Sequence, residues 1–209
     1  MSGERVLVLG TRNAKKKREL VLLLAGTGIR PATLDEFAGS VEVDETGTTF
    51  AENARLKASL QARAIGQWVL GEDSGLCVDA LDGAPGVYSA RFSGVGATDA
   101  TNNAKLQESL RGVPLERRTA HYVCHASLSD PSGEIVIDCE GTCRGRIVDR
   151  ASGEGGFGYD PYFEIPEYHA TFAQLGDSVK SLLSHRARAM RQFLCELERL
   201  IGRGGWPIA

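Results

Sequence analysis

The chain has 209 residues, 42% hydrophobic and 24% charged, with a formal net charge of −3. That length and balance suit one globular domain, or two packed lobes, with a core that needs neither disulfides nor a structural metal. They argue against a protein that binds nucleic acid by neutralising phosphates, for which the one hint is the run Lys15-Lys16-Lys17-Arg18.

The N-terminal apolar stretch, Val6 to Leu9, is too short for a signal-peptide core. No apolar run approaches the ~20 residues that cross a bilayer, so the expected compartment is the cytoplasm. Five cysteines, an odd number in such a chain, do not suggest a disulfide framework. Cys139 and Cys143 with His121 and His125 have a loose zinc-like spacing. Both stretches read as strands, which form no tight ligand knuckle.

In chain order, residues 5–9 are a short apolar run and predict a buried strand. A helix follows over 13–25, with Leu20, Leu23 and Leu24 on one face and Gly26 and Gly28 as its stop. Residues 33–48 are acidic and irregular. Thr49-Phe50-Ala51-Glu52 fits a capping box and opens a helix that carries Ala54, Ala58, Ala62 and Ile65 to Gly66. Residues 68–70 predict a strand that ends in a turn, Gly71-Glu72-Asp73-Ser74-Gly75. A glycine- and proline-rich loop is predicted over 81–96 and a polar helix over 98–110. Residues 119–128 and 134–143 flank Ser129-Asp130-Pro131-Ser132-Gly133 and predict a long antiparallel hairpin. A glycine loop over 153–158 precedes a last helix over 185–201, striped by Met190, Phe193, Leu194, Leu197 and Ile201. The tail from Gly202 to Ala209 is expected to fray. The pattern is α/β or mixed α+β with a mixed sheet, one domain of two lobes over 1–209.

Four places carry chemistry. Thr11-Arg12-Asn13-Ala14-Lys15-Lys16 lies where a strand becomes a helix, and a helix N-terminus with a lysine one turn inside favours phosphate. Asp44 and Glu45 in a loop, with Glu72 and Asp73 at a strand end, suit Mg²⁺, which takes a few carboxylates plus water and phosphate oxygens. Gly153 to Gly158 has G-x-G-x-x-G spacing, but extended chain follows it, so it is no dinucleotide fingerprint. It reads as a loop that presents Phe157 and Tyr159 to a flat ligand, with Asp160 as an acceptor. Lys180 with Ser184, His185 and Arg186 places donors at the start of the last helix. An N-cap serine followed by surface His and Arg is the plainer alternative for that piece.

Together these segments resemble the inosine triphosphate pyrophosphatase family. The resemblance lies in Thr-Arg-Asn-Ala-Lys-Lys-Lys-Arg-Glu-Leu at 11–20, Glu-Thr-Gly-Thr-Thr-Phe-Ala-Glu-Asn-Ala at 45–54 and Glu-Asp-Ser-Gly-Leu at 72–76. It continues in Gly-Ala-Pro-Gly-Val-Tyr-Ser-Ala-Arg-Phe at 83–92, Gly-Gly-Phe-Gly-Tyr-Asp-Pro at 155–161 and Ser-His-Arg at 184–186. The order is the family's, and it spans nearly the whole chain. The departures are Glu72-Asp73, where the family most often has Asp-Asp, and Ser178-Val179 before Lys180.

The resemblance implies an elongated mixed sheet flanked by helices, a nucleotide cleft between two lobes, a homodimer, and Mg²⁺-dependent cleavage of ITP, dITP or XTP to monophosphate and pyrophosphate. Carried over to this chain, it assigns Thr11, Arg12, Asn13, Ala14, Lys15, Lys16 and Lys57 to the triphosphate. Glu45, Asp73 and Glu72 fall to the metal, and Asp73 to the base that activates water. Ser74, Phe157, Gly158, Tyr159, Asp160, Lys180, His185 and Arg186 are assigned to the rest of the substrate. The competing readings are a pyrophosphatase for modified pyrimidine or methylated nucleotides on a related fold, a nucleotide-binding module without catalysis, and a nucleic-acid binder.

Overall fold

The structure, a computed structural model, describes residues 4–206. Its framework is a seven-stranded mixed sheet in the order β2-β1-β3-β4-β5-β6-β7. The strands are β1 Arg5–Leu9, β2 Ile29–Thr33, β3 Val69–Val78, β4 Thr119–Ser129, β5 Ile135–Ile147, β6 Phe163–Ile165 and β7 Ala170–Thr171. The helices are α1 Ala14–Leu24, α2 Phe50–Ile65, α3 Asp99–Ser109, α4 Phe172–Leu183 and α5 His185–Gly202. β1 runs parallel to β2 and β3, with Val8 level with both Ala32 and Val69. The β5–β6 and β6–β7 pairs are antiparallel. The neighbours β4 and β5 are joined by a link too short for a parallel crossover, as the hairpin reading expects.

The chain gathers into two compact units. The first comprises the described residues up to Asp73, His125–Glu140, and the described residues from Ala189 onward. In it, Val8, Ala32, Leu34, Ala62 and Val69 form one buried cluster, and Leu7 and Leu9 on the other face of β1 are equally buried. Burial on both faces is normal for a parallel strand. Thr49 Oγ1 accepts from Glu52 N, and Glu52 caps the Thr49 amide, so the capping box opens α2 as read. Gly66 closes it in the left-handed region at φ 65°. The alanines of α2 lie against β3 so closely that a Cβ on Gly71 would sit 2.2 Å from Ala54 O.

The second unit is Ser74–Cys124 with Gly141–Arg188. Its core includes Leu76, Val78, Leu106, Leu110, Tyr122 and Phe163, together with Phe172.

Several elements differ from the sequence reading. β2 was not expected, because Pro31 breaks its pattern; β2 is an edge strand, where proline is tolerated. β3 does not end at Leu70 but runs straight through Gly71-Glu72-Asp73-Ser74-Gly75 to Val78. α4 is also new. Gly176, at φ 76° and ψ 173°, breaks it internally and hides its periodicity. The loop at 81–96 contains a 3₁₀ segment, Gly86–Arg91. The tail does not fray as far as Trp206, which stacks on Trp68 with ring centroids 4.6 Å apart. Arg5 Nε donates to Trp206 O. The remainder, 207–209, lies outside the described residues. Among the described residues no helix is long and apolar enough to cross a membrane.

Candidate active site

In the first unit, four segments place charge together: the start of α1, the loop with Glu45, α2 and β3. β1 ends at Leu9, and Asn13 caps α1: its Oδ1 accepts from Lys15 N at 2.9 Å and Lys16 N at 3.2 Å. Thr11 Oγ1 accepts from Asn13 N. The helix start expected to hold phosphate is therefore formed, with Thr11 and Asn13 bracing it and Ala14 as its first residue. Arg12 reaches the irregular segment after β2, donating to Val41 O and approaching Asp35 at 3.9 Å. Lys15 stays exposed. Lys16, one turn in, pairs with Glu72 Oε2 at 3.2 Å.

Glu72 and Asp73 are neighbours inside β3, and adjacent strand residues project to opposite faces. Their partners follow that geometry: Glu72 meets Lys16 of α1, whereas Asp73 meets α2. Lys57 Nζ donates to Asp73 Oδ1 at 2.9 Å and to Glu45 Oε1 at 3.1 Å. Asn53 Nδ2 donates to Asp73 Oδ2 at 3.2 Å, and Asn53 Oδ1 accepts from Gly47 N. Asn53 was missed in the sequence, although it stands four residues before Lys57 and so on the same helix face. Asp44, also considered as an acid, enters no ion pair with this group; its carbonyl accepts from Thr46 N.

Burial raises the Asp73 pKa above the usual carboxylate value, against the pull of Lys57 and Lys16. Burial works against the Lys57 ammonium, but Asp73, Glu45 and Glu72 outweigh it and raise its pKa. The pair is thus a buried carboxylate that holds protons more tightly than usual beside a lysine that stays charged.

No group of three His, Cys, Asp or Glu side chains among the described residues forms a ready metal cage. The donor set still fits a hard cation. Asp73 and Glu45 already converge on one positive group, and Mg²⁺ is commonly held by one or two carboxylates with substrate phosphates completing its shell. Among the described residues the cysteines form no disulfide, and Cys139 and Cys143 are buried.

The second unit holds the other cluster. Lys180 lies in the last turn of α4, not on the last helix, and its ammonium contacts Asp160 Oδ2 at 2.6 Å. Asp160 Oδ2 also accepts from Phe157 N at 2.8 Å, and Asp160 Oδ1 accepts from Tyr122 hydroxyl at 3.4 Å. Asp160 therefore closes the glycine loop on itself. Lys180 Nζ lies 4.3 Å from the centroid of the Phe157 ring. Gly158 is held on both sides from α3: its N–H donates to Asp99 Oδ2 and its carbonyl accepts from Asn103 Nδ2.

Tyr159, read as facing a ligand beside Phe157, is instead buried in the core, donating to Ser89 O at 2.8 Å. Ser89 in turn accepts from Leu76 N, so the segment at 83–92 braces β3 to the glycine loop.

Ser184 caps α5, accepting from Ala187 N. The residues after it are not surface groups: His185 is 4% exposed and Arg186 only 1%. Arg186 Nη2 donates to Ser74 Oγ at 2.9 Å, and the His185 ring is stacked on Tyr122. A guanidinium is almost never fully buried unless something needs it there, because removing it from water is costly.

The first unit thus carries a lysine–carboxylate cluster of the kind that suits phosphate and a hard cation, and the second a buried His-Arg pair of the kind that suits a hydrogen-bonding ligand. The chain belongs to the Ham1 family, whose model matches residues 7–196. It is 52% identical over 195 residues to a dITP/XTP pyrophosphatase of Rhodopirellula baltica, covering 93% of this chain and 94% of that one. It is 48% identical to the dITP/XTP pyrophosphatase of Desulforamulus reducens, covering 93% and 96%. Among solved structures, a HAM1 protein from Coxiella burnetii superposes with a TM-score of 0.85 at 36% identity, covering 93% of this chain and 99% of that one.

Proposed function

We propose that this chain hydrolyses deaminated purine nucleoside triphosphates, ITP, dITP and XTP, to the monophosphate and pyrophosphate, with Mg²⁺ as cofactor. The observation that carries the proposal is the buried cluster in which Lys57 bridges Asp73 and Glu45 while Lys16 pairs with Glu72. Relatives named dITP/XTP pyrophosphatase over nearly the whole chain support the substrate class.

The start of α1, Thr11 to Lys16, and Lys57 hold the triphosphate. Glu45 and Asp73 are the metal's protein ligands, and Glu72 supports them by keeping Lys16 in place. When bound, Mg²⁺ neutralises charge on the phosphates and on the departing pyrophosphate. Asp73, ionised and held by Asn53 and Lys57, takes a proton from the attacking water. The water oxygen bonds to the α-phosphorus as the bond from that phosphorus to the bridging oxygen breaks, and the bridging oxygen leaves with pyrophosphate. Most of the rate arises from fixed position and fixed charge.

The purine is read by donors. Hypoxanthine and xanthine carry a C6 carbonyl, which accepts from His185 or Arg186, whereas adenine carries a C6 amino group that cannot. Ser74 fixes Arg186, Phe157 stacks on the base, and Lys180, Asp160, Tyr159 and Gly158 hold the loop that carries it. A site built on hydrogen bonds rejects a mismatched group by roughly 10⁴-fold, because its own buried groups are left unpaired.

The family match runs through residues of both units, which supports a single catalytic domain. The resemblance further supports a homodimer in the cytoplasm; light scattering at the mass of one chain would remove the dimer.

The test of function is pyrophosphate release from ITP, XTP, GTP, ATP and dTTP, with and without Mg²⁺. Metal-dependent release from ITP and XTP, with little from ATP or dTTP, is the expected result; guanine also carries the C6 carbonyl, so weak release from GTP would place its exclusion at C2. Release from dTTP or from all five would sink the base-reading assignment, and release from none would leave a binding module.

A further inference from the structure

We propose that Tyr122 is the positioning residue that sets the plane of the His185 imidazole. Tyr122 lies in β4 and is 7% exposed. Its ring lies on the imidazole with centroids 4.6 Å apart and planes 13° from parallel. Tyr122 cannot drift, because Phe163 packs on it at 4.6 Å and Phe172 at 6.3 Å. Its hydroxyl donates to Asp160 Oδ1 at 3.4 Å. Burial, with Asp160 beside it, keeps that hydroxyl protonated. Asp160 in turn holds the amide of Phe157. One tyrosine therefore connects the ring plane of His185 to the loop that carries Phe157.

The physical reason lies in the histidine side chain. The χ2 torsion of an imidazole is broad and roughly two-fold, so anchoring at the backbone leaves the ring free to rock. His185 is the first residue of α5, with no preceding turn of its own helix to lean on. A parallel aromatic face removes the rocking without using either ring nitrogen. Tyr122 touches no reacting atom and acts through His185. The inference rests on the base-reading role of His185 stated above.

The experiment compares Tyr122→Leu, Tyr122→Phe and His185→Ala in the Mg²⁺-loaded enzyme, with kcat and KM measured for ITP and ATP. Loss of the ring is expected to raise KM for ITP and to lower the ITP-to-ATP ratio of kcat/KM by about two- to tenfold, with kcat changed less. Tyr122→Phe keeps the stack and is expected to restore the ratio.

Nitrogen-15 histidine spectra supply a readout independent of activity. The chain has 4 histidines, and His185→Ala identifies the resonance. A ring-current shift on His185 in the wild-type protein, kept in Tyr122→Phe and lost in Tyr122→Leu, supports the proposal. If Tyr122→Leu does not fold, absence of that shift in the wild-type protein overturns it. An unchanged ITP-to-ATP ratio in folded Tyr122→Leu, with a collapsed ratio in His185→Ala, overturns it as well. An unchanged ratio in His185→Ala overturns the base-reading role instead, and then the spectra alone decide whether Tyr122 orients the ring.

Discussion

Asp73 accepts from Lys57 on one oxygen and Asn53 on the other, so its position in β3 is determined by α2. Asp73→Asn keeps that shape and removes the proposed base. The expected outcome is a fall in kcat of about 10²–10⁴, the usual contribution of general base catalysis, measured by pyrophosphate release at saturating Mg²⁺. Its effect on stability has the opposite sign. Burial raises the folded pKa of Asp73, so between the unfolded value and that raised value the native state binds more protons. Stability falls as pH rises through that window, and ionised Asp73 is a net cost in the metal-free protein. Metal-free Asp73→Asn should therefore melt no lower than wild type near neutral pH; a clearly lower Tm would contradict the raised pKa. If Arg186 reads the base as proposed, Arg186→Ala should cut the ITP-to-ATP preference by about a hundredfold, since it removes a buried donor. An unchanged preference would refute the role of Arg186. Which residue types carry charge was legible here; which carboxylate meets which lysine was not. The contacts of Asn53 with Asp73 and of Tyr122 with His185 were invisible because nothing in a linear pattern separates a helix asparagine or a strand tyrosine from its neighbours.

α2 and β3 show what an element can and cannot reveal by itself. The capping box on Thr49 and Glu52 and the stop at Gly66 were read correctly, because both depend on residues a few positions apart. Thr49→Ala is expected to cost about 1 kcal/mol, read from denaturant unfolding. The Gly71-to-Gly75 stretch was read as a turn, yet it is strand. A glycine that breaks a chain and a glycine that admits a neighbour look identical in sequence. Gly71 is of the second kind, since a Cβ there would run into the backbone of Ala54 and Ala58. Gly71→Ala must push α2 away from Asp73, and it should cost about 1–3 kcal/mol or more and weaken activity alongside stability. An active, fully stable Gly71→Ala protein would refute the close packing.

At the scale of the whole chain, stability against acid depends on contacts made far apart in sequence. In the first unit, Asp138 of β5 accepts from Arg55 Nε at 2.8 Å and Ser127 Oγ at 2.6 Å, with His125 Nε2 at 2.6 Å. Burial alone would raise its pKa, but hydrogen bonds from Arg55, Ser127 and His125 prevail and lower it. A lowered folded pKa gives stability that is present above the unfolded carboxylate value and is lost as pH falls through the folded one. Asp138→Ala should cost about 1–3 kcal/mol near neutral pH, because three donors lose their acceptor. The gap between variant and wild type should close as unfolding is repeated at progressively lower pH, below about 3.9. A gap that persists unchanged there would exclude this account.

The sequence by itself determined the mixed α/β class, the capped helix α2, the hairpin and the set of charged residues from which an active site could be built. These follow from periodicity, capping and turn chemistry, which act over a few residues. Only the tertiary structure decided that β3 continues through its acidic pair, that Tyr159 faces inward, that Lys180 belongs to α4 and that Arg186 is buried. Each of those depends on what packs against a residue from elsewhere in the chain, and burial is a property of the neighbours rather than of the residue.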